Sequence, residues 1–237
     1  MKTQTPQTQQ PFIGIIMLDT LFPRIKGDIG NPETFSFPVR YRVVKGASPE
    51  RMVIKADRKL LSPFIEAGQS LVRDGAAAIA TSCGFLALFH RELVRALDVP
   101  VFSSSLLQVH TARAVIHPDR KIGIITARKA ALTRDHLAGA GIDKIPLAIQ
   151  GMDDAEEFSS VFINGKTTLN REKCAMEMKA AARNLINRHP DVGAIVLECT
   201  NMPPYSGAVK QVTGSLPVFD CVTMLNQAYA AVSGNQN

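Results

Sequence analysis

The second half of this chain repeats the first. "AIATSCGFLALFHRELVRALDVPVFSSSLLQVHTARAV" lies over "AIVLECTNMPPYSGAVKQVTGSLPVFDCVTMLNQAYAAV", and each reads strand, cysteine, helix, "PVF", helix. Cys83 falls on Cys199 and Pro100 on Pro217 with only a one-residue gap between the copies. The openings of the halves also agree, "FIGIIMLD" (Phe12–Asp19) with "KIGIITAR" (Lys121–Arg128). A repeat of about 110 residues is too long for a solenoid unit, so two copies mean a duplicated domain.

Apolar runs bounded by turn residues alternate with segments of helical period, which predicts βα units and a parallel sheet in each half, an α/β protein of two lobes. Strands are expected near 12–18, 39–44, 76–82, 99–103, 121–126, 145–149, 193–198 and 216–219. Ser48-Pro49 and Ser62-Pro63 each read as an N-cap followed by proline at the first helical position. "NREKCAMEMKAAARNLINRH" is an amphipathic helix ended by Pro190. Ligands of open α/β sheets bind beyond the carboxyl ends of the strands, so two such lobes face each other across a cleft.

With 46% hydrophobic and 20% charged residues among 237, the chain has material for a substantial core. Its apolar runs are too short and too interrupted to span a bilayer, and the polar start "MKTQTPQTQQ" lacks a signal-peptide segment; a cytoplasmic protein is expected, with no membrane partner and a disordered tail over 1–11. The net charge of +6 is scattered rather than gathered in a stripe, and aromatics are 6%, so nucleic acid is not an expected partner; a small carboxylate substrate is. Cys83, Cys174, Cys199 and Cys221 show no zinc spacing, the five histidines share no ligand spacing, and no metal is expected.

Each of Cys83 and Cys199 ends a strand just before a helix. Unpaired N–H groups and the helix dipole favour an anion there, which predicts a thiol pKa below the free value of about 8.5. Two such thiols from opposite lobes suit a reaction in which one takes a proton from a carbon while the other delivers a proton to its opposite face. Cys174 reads differently: with Met178, Ala182 and Leu185 it forms one apolar helix face. Cys221, at a position equivalent to Ser104, is read as packing.

"TSCGF" and "LECTNMP", in a duplicated α/β chain opening "IGIIMLDT", resemble the aspartate/glutamate racemase superfamily, which also holds hydantoin racemases, maleate isomerases and arylmalonate decarboxylases. The resemblance covers nearly the whole chain after the tail. It implies two flavodoxin-like lobes, each a parallel sheet in three layers, related by a pseudo-twofold axis with the active site between them. The first lobe is then 12–112 plus 216–237, through a returning C-terminal helix, and the second is 113–215. It implies no metal, pyridoxal phosphate or nucleotide cofactor, and a dimer is the default assembly.

Carried over by position, the resemblance makes Cys83 and Cys199 the acid/base pair, with Ser82, Gly84 and Phe85 on one side and Thr200 and Asn201 on the other holding the substrate carboxylate. Asp19 and Thr20 match a polar pair after the first strand, and Arg24 in the same loop is a guanidinium suited to a carboxylate. Glutamate racemases have Cys-Asn-Thr and Cys-Thr-His where this chain has Cys83-Gly84-Phe85 and Cys199-Thr200-Asn201, and Phe85 makes that wall apolar. The expected function is a cofactor-independent racemase or epimerase acting next to a carboxylate or carbonyl. The alternatives are a maleate-type cis-trans isomerase with a nucleophilic cysteine and a binding protein for small carboxylates. "NGKTT" lacks the leading glycine of a phosphate loop, and "MDDAEE" reads as a solvated first helical turn.

Overall fold

The computed structural model describes residues 10–234, and the expected tail lies almost wholly outside them. In the first half β1 (Phe12–Leu18), β2 (Val39–Val44), α1 (Leu61–Arg73), β3 (Ala76–Thr81), α2 (His90–Ala96), β4 (Val101–Phe102) and α3 (Gln108–Val115) follow one another. The second half runs β5 (Lys121–Thr126), α4 (Arg134–Gly139), β6 (Leu147–Gly151), α5 (Glu156–Phe162), α6 (Arg171–Arg188), β7 (Val192–Leu197), α7 (Ser206–Thr213), β8 (Val218–Phe219) and α8 (Cys221–Val232). No helix among the described residues is long and apolar enough to cross a membrane.

The strands form two all-parallel sheets of identical order, β2-β1-β3-β4 and β6-β5-β7-β8. Even an irregularity repeats: the register slips between Phe12 and Ile13 where β1 meets β3, and between Lys121 and Ile122 where β5 meets β7. All seven residues of β1 are buried, as expected of a parallel strand covered on both faces.

Gly14 and Gly123 occupy equivalent points of the central strands, and both are required by the helix packed above. A Cβ on Gly14 comes within 3.0 Å of Leu71 on α1 and 2.8 Å of Ile79; one on Gly123 comes within 2.8 Å of Leu185 on α6. The two glycines thus set the same helix-to-sheet approach in both lobes. On α6, Asn170 caps the first turn and Cys174, Met178, Ala182 and Leu185 are buried, as the periodicity predicts.

Two expectations move. Strand β8 pairs with β7, so the second sheet extends to Phe219 and the boundary drawn at 215/216 falls inside it. The crossing back comes at Asp220, whose carboxylate accepts from the Thr223 N–H and caps α8. Met224, Leu225 and Ala228 of that helix then pack on Ile13, Ile15 and Ala80 of the first sheet. Ser62 does not cap α1, which starts at Leu61 out of a turn capped by Asp57; the Ser62 hydroxyl bonds Glu66 instead. Overpacking a close strand-helix contact costs about 1–3 kcal/mol, so Gly14→Ala and Gly123→Ala each lower unfolding free energy by about that much in chemical denaturation. Gly207→Ala, in α7 with nothing within 4 Å of the new methyl, leaves stability equal or higher.

Candidate active site

Because β3 and β7 are equivalent strands, Cys83 and Cys199 stand just past their carboxyl ends, and a narrow pocket of about 20 Å³ between the lobes is lined by both. The lobes are stitched together beside them. The Thr200 hydroxyl donates to the Ser82 carbonyl at 2.6 Å, and the Asn201 amide donates to the Asp28 carboxylate at 2.6 Å. Phe22 meets Phe162 edge-on with ring centroids 5.2 Å apart, and Phe85 meets the buried His136 at 5.1 Å.

Of the sequence-predicted residues, Arg24, Ser82, Gly84, Phe85 and Asn201 line this pocket with the two thiols. Arg24 is fixed by Asp28 at 2.7 Å and by the Thr20 hydroxyl, which accepts at 2.9 Å. The Ser82 hydroxyl accepts from the Leu18 N–H, and Asn201 Oδ1 accepts from the Cys199 thiol at 3.4 Å. Thr200 is not on the wall, its hydroxyl being spent on the tie to Ser82. Asp19 and Thr20 line instead an outer cavity of about 490 Å³, separated from the inner pocket by Phe22, Pro49 and Ile163, which border both. The Gly46 N–H donates to Asp19 at 3.0 Å and holds its carboxyl below the usual range. Cys221 is buried against the first sheet, outside the pocket.

The expected low thiol pKa is reversed. Burial pushes Cys83 up to about 12, the Glu198 carboxyl adds to this, and the N–H groups of Phe85 and Leu86 offset only part of it. Cys199 is raised well above its ordinary value by burial and then by Glu198. The element after Cys83 is a six-residue 3-10 segment, Gly84–Phe89, and after Cys199 the turn Pro203–Tyr205 precedes α7, so neither thiol faces the start of a long α-helix. Loss of water therefore outweighs the dipole.

Sequence reasoning missed Asp28 and Glu198. Nothing in "RIKGDIGN" marks Asp28, which is 1% exposed and accepts from Arg24, from the Gly30 N–H and from Asn201. Glu198 had a signal: it interrupts the apolar run "AIVLEC" at the place where the first half has Ser82. It is fully buried on the pocket wall, its Oε2 accepting from the Thr126 hydroxyl at 2.9 Å and the Ala127 N–H at 3.4 Å, and burial pushes its carboxyl up to about 7. A Cβ on Gly84 would collide with the Glu198 carboxyl, which ties the glycine of "SCG" to the glutamate of "LEC". Among the described residues no group of three or more His, Cys, Asp or Glu side chains comes together as a metal site.

The model of the Asp/Glu/hydantoin racemase family matches residues 46–228 of this chain of two equivalent parallel-sheet lobes, and the chain belongs to that family. The fold is also that of an aspartate racemase from Picrophilus torridus, with a TM-score of 0.59 at 15% identity over 94% of each chain. Nearer in sequence are proteins that bear another name. A dimethylsulfoniopropionate lyase from Durusdinium sp. clade D is 32% identical over 224 residues, 92% of this chain and 73% of its own. Dimethylsulfoniopropionate lyase 7 of Emiliania huxleyi is 33% identical over 239 residues, 96% of this chain and 69% of its own.

The Glu198 carboxyl gives a stability signature of known sign. Its folded pKa of about 7 exceeds the unfolded value, so the folded state holds the extra proton and stability falls as pH rises from the unfolded carboxyl range to about 7. The loss is on the order of 3 kcal/mol. Glu198→Gln removes it: relative to wild type, the variant gains about that much stability between pH 5 and pH 8 in urea unfolding.

Proposed function

We propose that this chain is a lyase that removes a proton from the carbon next to a carboxylate and expels a neutral leaving group from the adjacent carbon, with dimethylsulfoniopropionate as the substrate. The observation that carries the reading is the pocket holding both family thiols in a closed, largely apolar setting, with one fixed guanidinium, Arg24, on its wall. The names of relatives that match over nine-tenths of the chain supply the leaving group.

At about 20 Å³ the closed pocket holds little more than a water, so the lobes part to admit the substrate, and the chemistry is what the lining residues suit. Arg24 pairs with the substrate carboxylate and, with the pocket N–H groups, stabilises the enolate-like charge that develops as the neighbouring carbon loses its proton. One cysteine, having given its own proton to solvent, takes that proton as a thiolate. The electron pair of the broken C–H bond becomes the carbon-carbon double bond, and the C–S bond breaks with its pair staying on sulfur. Dimethyl sulfide and acrylate leave, with one net proton released per turnover. Exclusion of water by Phe22, Phe85 and Phe162 keeps the carbanion from being quenched before the sulfide departs.

The presence of a second thiol in the same pocket favours one other reading, inversion of a stereocentre by two-cysteine proton transfer, the reaction expected from the sequence. The two differ in how many thiols they need: elimination needs one base, inversion needs both. Purified protein incubated with dimethylsulfoniopropionate is expected to release dimethyl sulfide into the headspace in step with acrylate. Replacing the basic cysteine, whether Cys83→Ser or Cys199→Ser, lowers kcat/KM by roughly a hundredfold or more, and the other replacement is milder. Absence of dimethyl sulfide, together with solvent deuterium appearing at the α-carbon of an amino acid only when both thiols are intact, refutes elimination and establishes inversion.

A further inference from the structure

The duplication contains one chemical asymmetry at the pocket. In the first lobe Ser82 closes the end of β1 by accepting the Leu18 N–H; in the second, Glu198 does the same for β5 by accepting the equivalent Ala127 N–H. Ser82 uses the only side-chain oxygen it has. Glu198 uses one of two, and its Oε1 is buried without a hydrogen-bond partner among the described residues while the side chain borders the pocket beside both cysteines. Closing the strand needs no carboxylate, as Ser82 demonstrates, and an unpartnered buried carboxylate oxygen is costly.

The other buried acid near the pocket is fully committed. Asp28 Oδ1 accepts from Arg24 and Gly30, and Oδ2 accepts from Asn201. The wall therefore presents one guanidinium from the first lobe, one uncommitted carboxyl from the second, and the rings of Phe22, Phe85 and Phe162 around them. Phe22 already carries the Arg24 guanidinium over its ring at 4.7 Å, which leaves Phe85 and Phe162 as a lining for a short zwitterion whose cationic end carries methyl groups rather than N–H donors: these rings accept an onium by cation-π attraction, and the carboxylate neutralises it.

We propose that Glu198 is the cation-recognising residue of this pocket, its free carboxylate oxygen selecting onium carboxylates over uncharged analogues of the same shape. This rests on the proposed lyase reading for the substrate and deepens it. A cation paired with Glu198 also removes a negative charge that holds the Cys83 proton in place, so the substrate's own charge helps to free the thiolate.

The test uses two probes of the same shape, trimethylammoniopropionate and the carboxylate in which carbon replaces its nitrogen, titrated calorimetrically into the intact chain. Wild type at pH 8 is expected to bind the onium about tenfold or more tighter than its uncharged twin, and Glu198→Gln to reduce that preference to less than about threefold, with the uncharged twin bound as before. A preference unchanged in Glu198→Gln, or absent in wild type, overturns the proposal.

A second arm needs no variant. In wild type the onium preference is expected to collapse at pH 5.5 as Glu198 takes up its proton. The groups facing it are the thiols of Cys83 and Cys199, held protonated over this range, with His136 behind Phe85 pushed down to about 4 by burial. Beyond them lie the Arg24–Asp28 pair and Arg128, which is turned to the Asp153 carbonyl. A preference independent of pH overturns the proposal. Dimethyl sulfide release is scored separately: turnover without charge discrimination refutes this role for Glu198 and spares the lyase reading, while discrimination without turnover does the reverse.

Discussion

The geometry of the site depends on one hydrogen bond between the lobes. The Thr200 hydroxyl, one residue beyond Cys199, donates to the carbonyl of Ser82, one residue before Cys83, at 2.6 Å and in a fully buried setting. Each sheet by itself delivers a cysteine to the edge of its own lobe; this tie, with the Asn201–Asp28 bond and the Phe22–Phe162 and Phe85–His136 contacts beside it, sets the two edges face to face. The pocket between them is narrow because its partners are backbone and short side chains, which leave little slack.

Closing the lobes so tightly has an electrostatic consequence. Water that stabilises an exposed thiolate is excluded, and both thiols are held in their protonated form with Glu198 adding its charge to the effect. A pocket built this way is poor at generating a base when empty. In the role proposed for Glu198, a substrate that brings positive charge offsets the carboxylate where the dielectric is low, and specificity and activation come from the same interaction.

Much of the fold was legible because it rests on short-range pattern. The strands ending in "TSC" and "LEC" are apolar runs of the right length, the helix over Arg171–Arg188 shows its buried face in its periodicity, and the repeat doubles the evidence for each. What failed was decided by neighbours distant in sequence. The β8 pairing with β7 moved a domain boundary, and the Asp57-capped turn before α1 displaced Ser62 from its expected cap. Of the expected site residues, Cys83, Cys199, Arg24, Ser82, Gly84, Phe85 and Asn201 border the inner pocket, whereas Asp19 and Thr20 open onto the outer cavity and Thr200 serves the tie.

The sequence alone determined the duplication, the parallel α/β lobes and a thiol at the carboxyl edge of each, because periodicity and turn chemistry act within a few residues. Tertiary structure decided which way the thiol pKa values move, since burial and the charge of Glu198 arise only when the lobes meet. It decided as well that Asp28 is consumed by Arg24, Gly30 and Asn201 while Glu198 keeps one oxygen free. Hydrogen-bond satisfaction is a property of the assembled neighbourhood, and a glutamate standing where its repeat has a serine acquires its meaning only there.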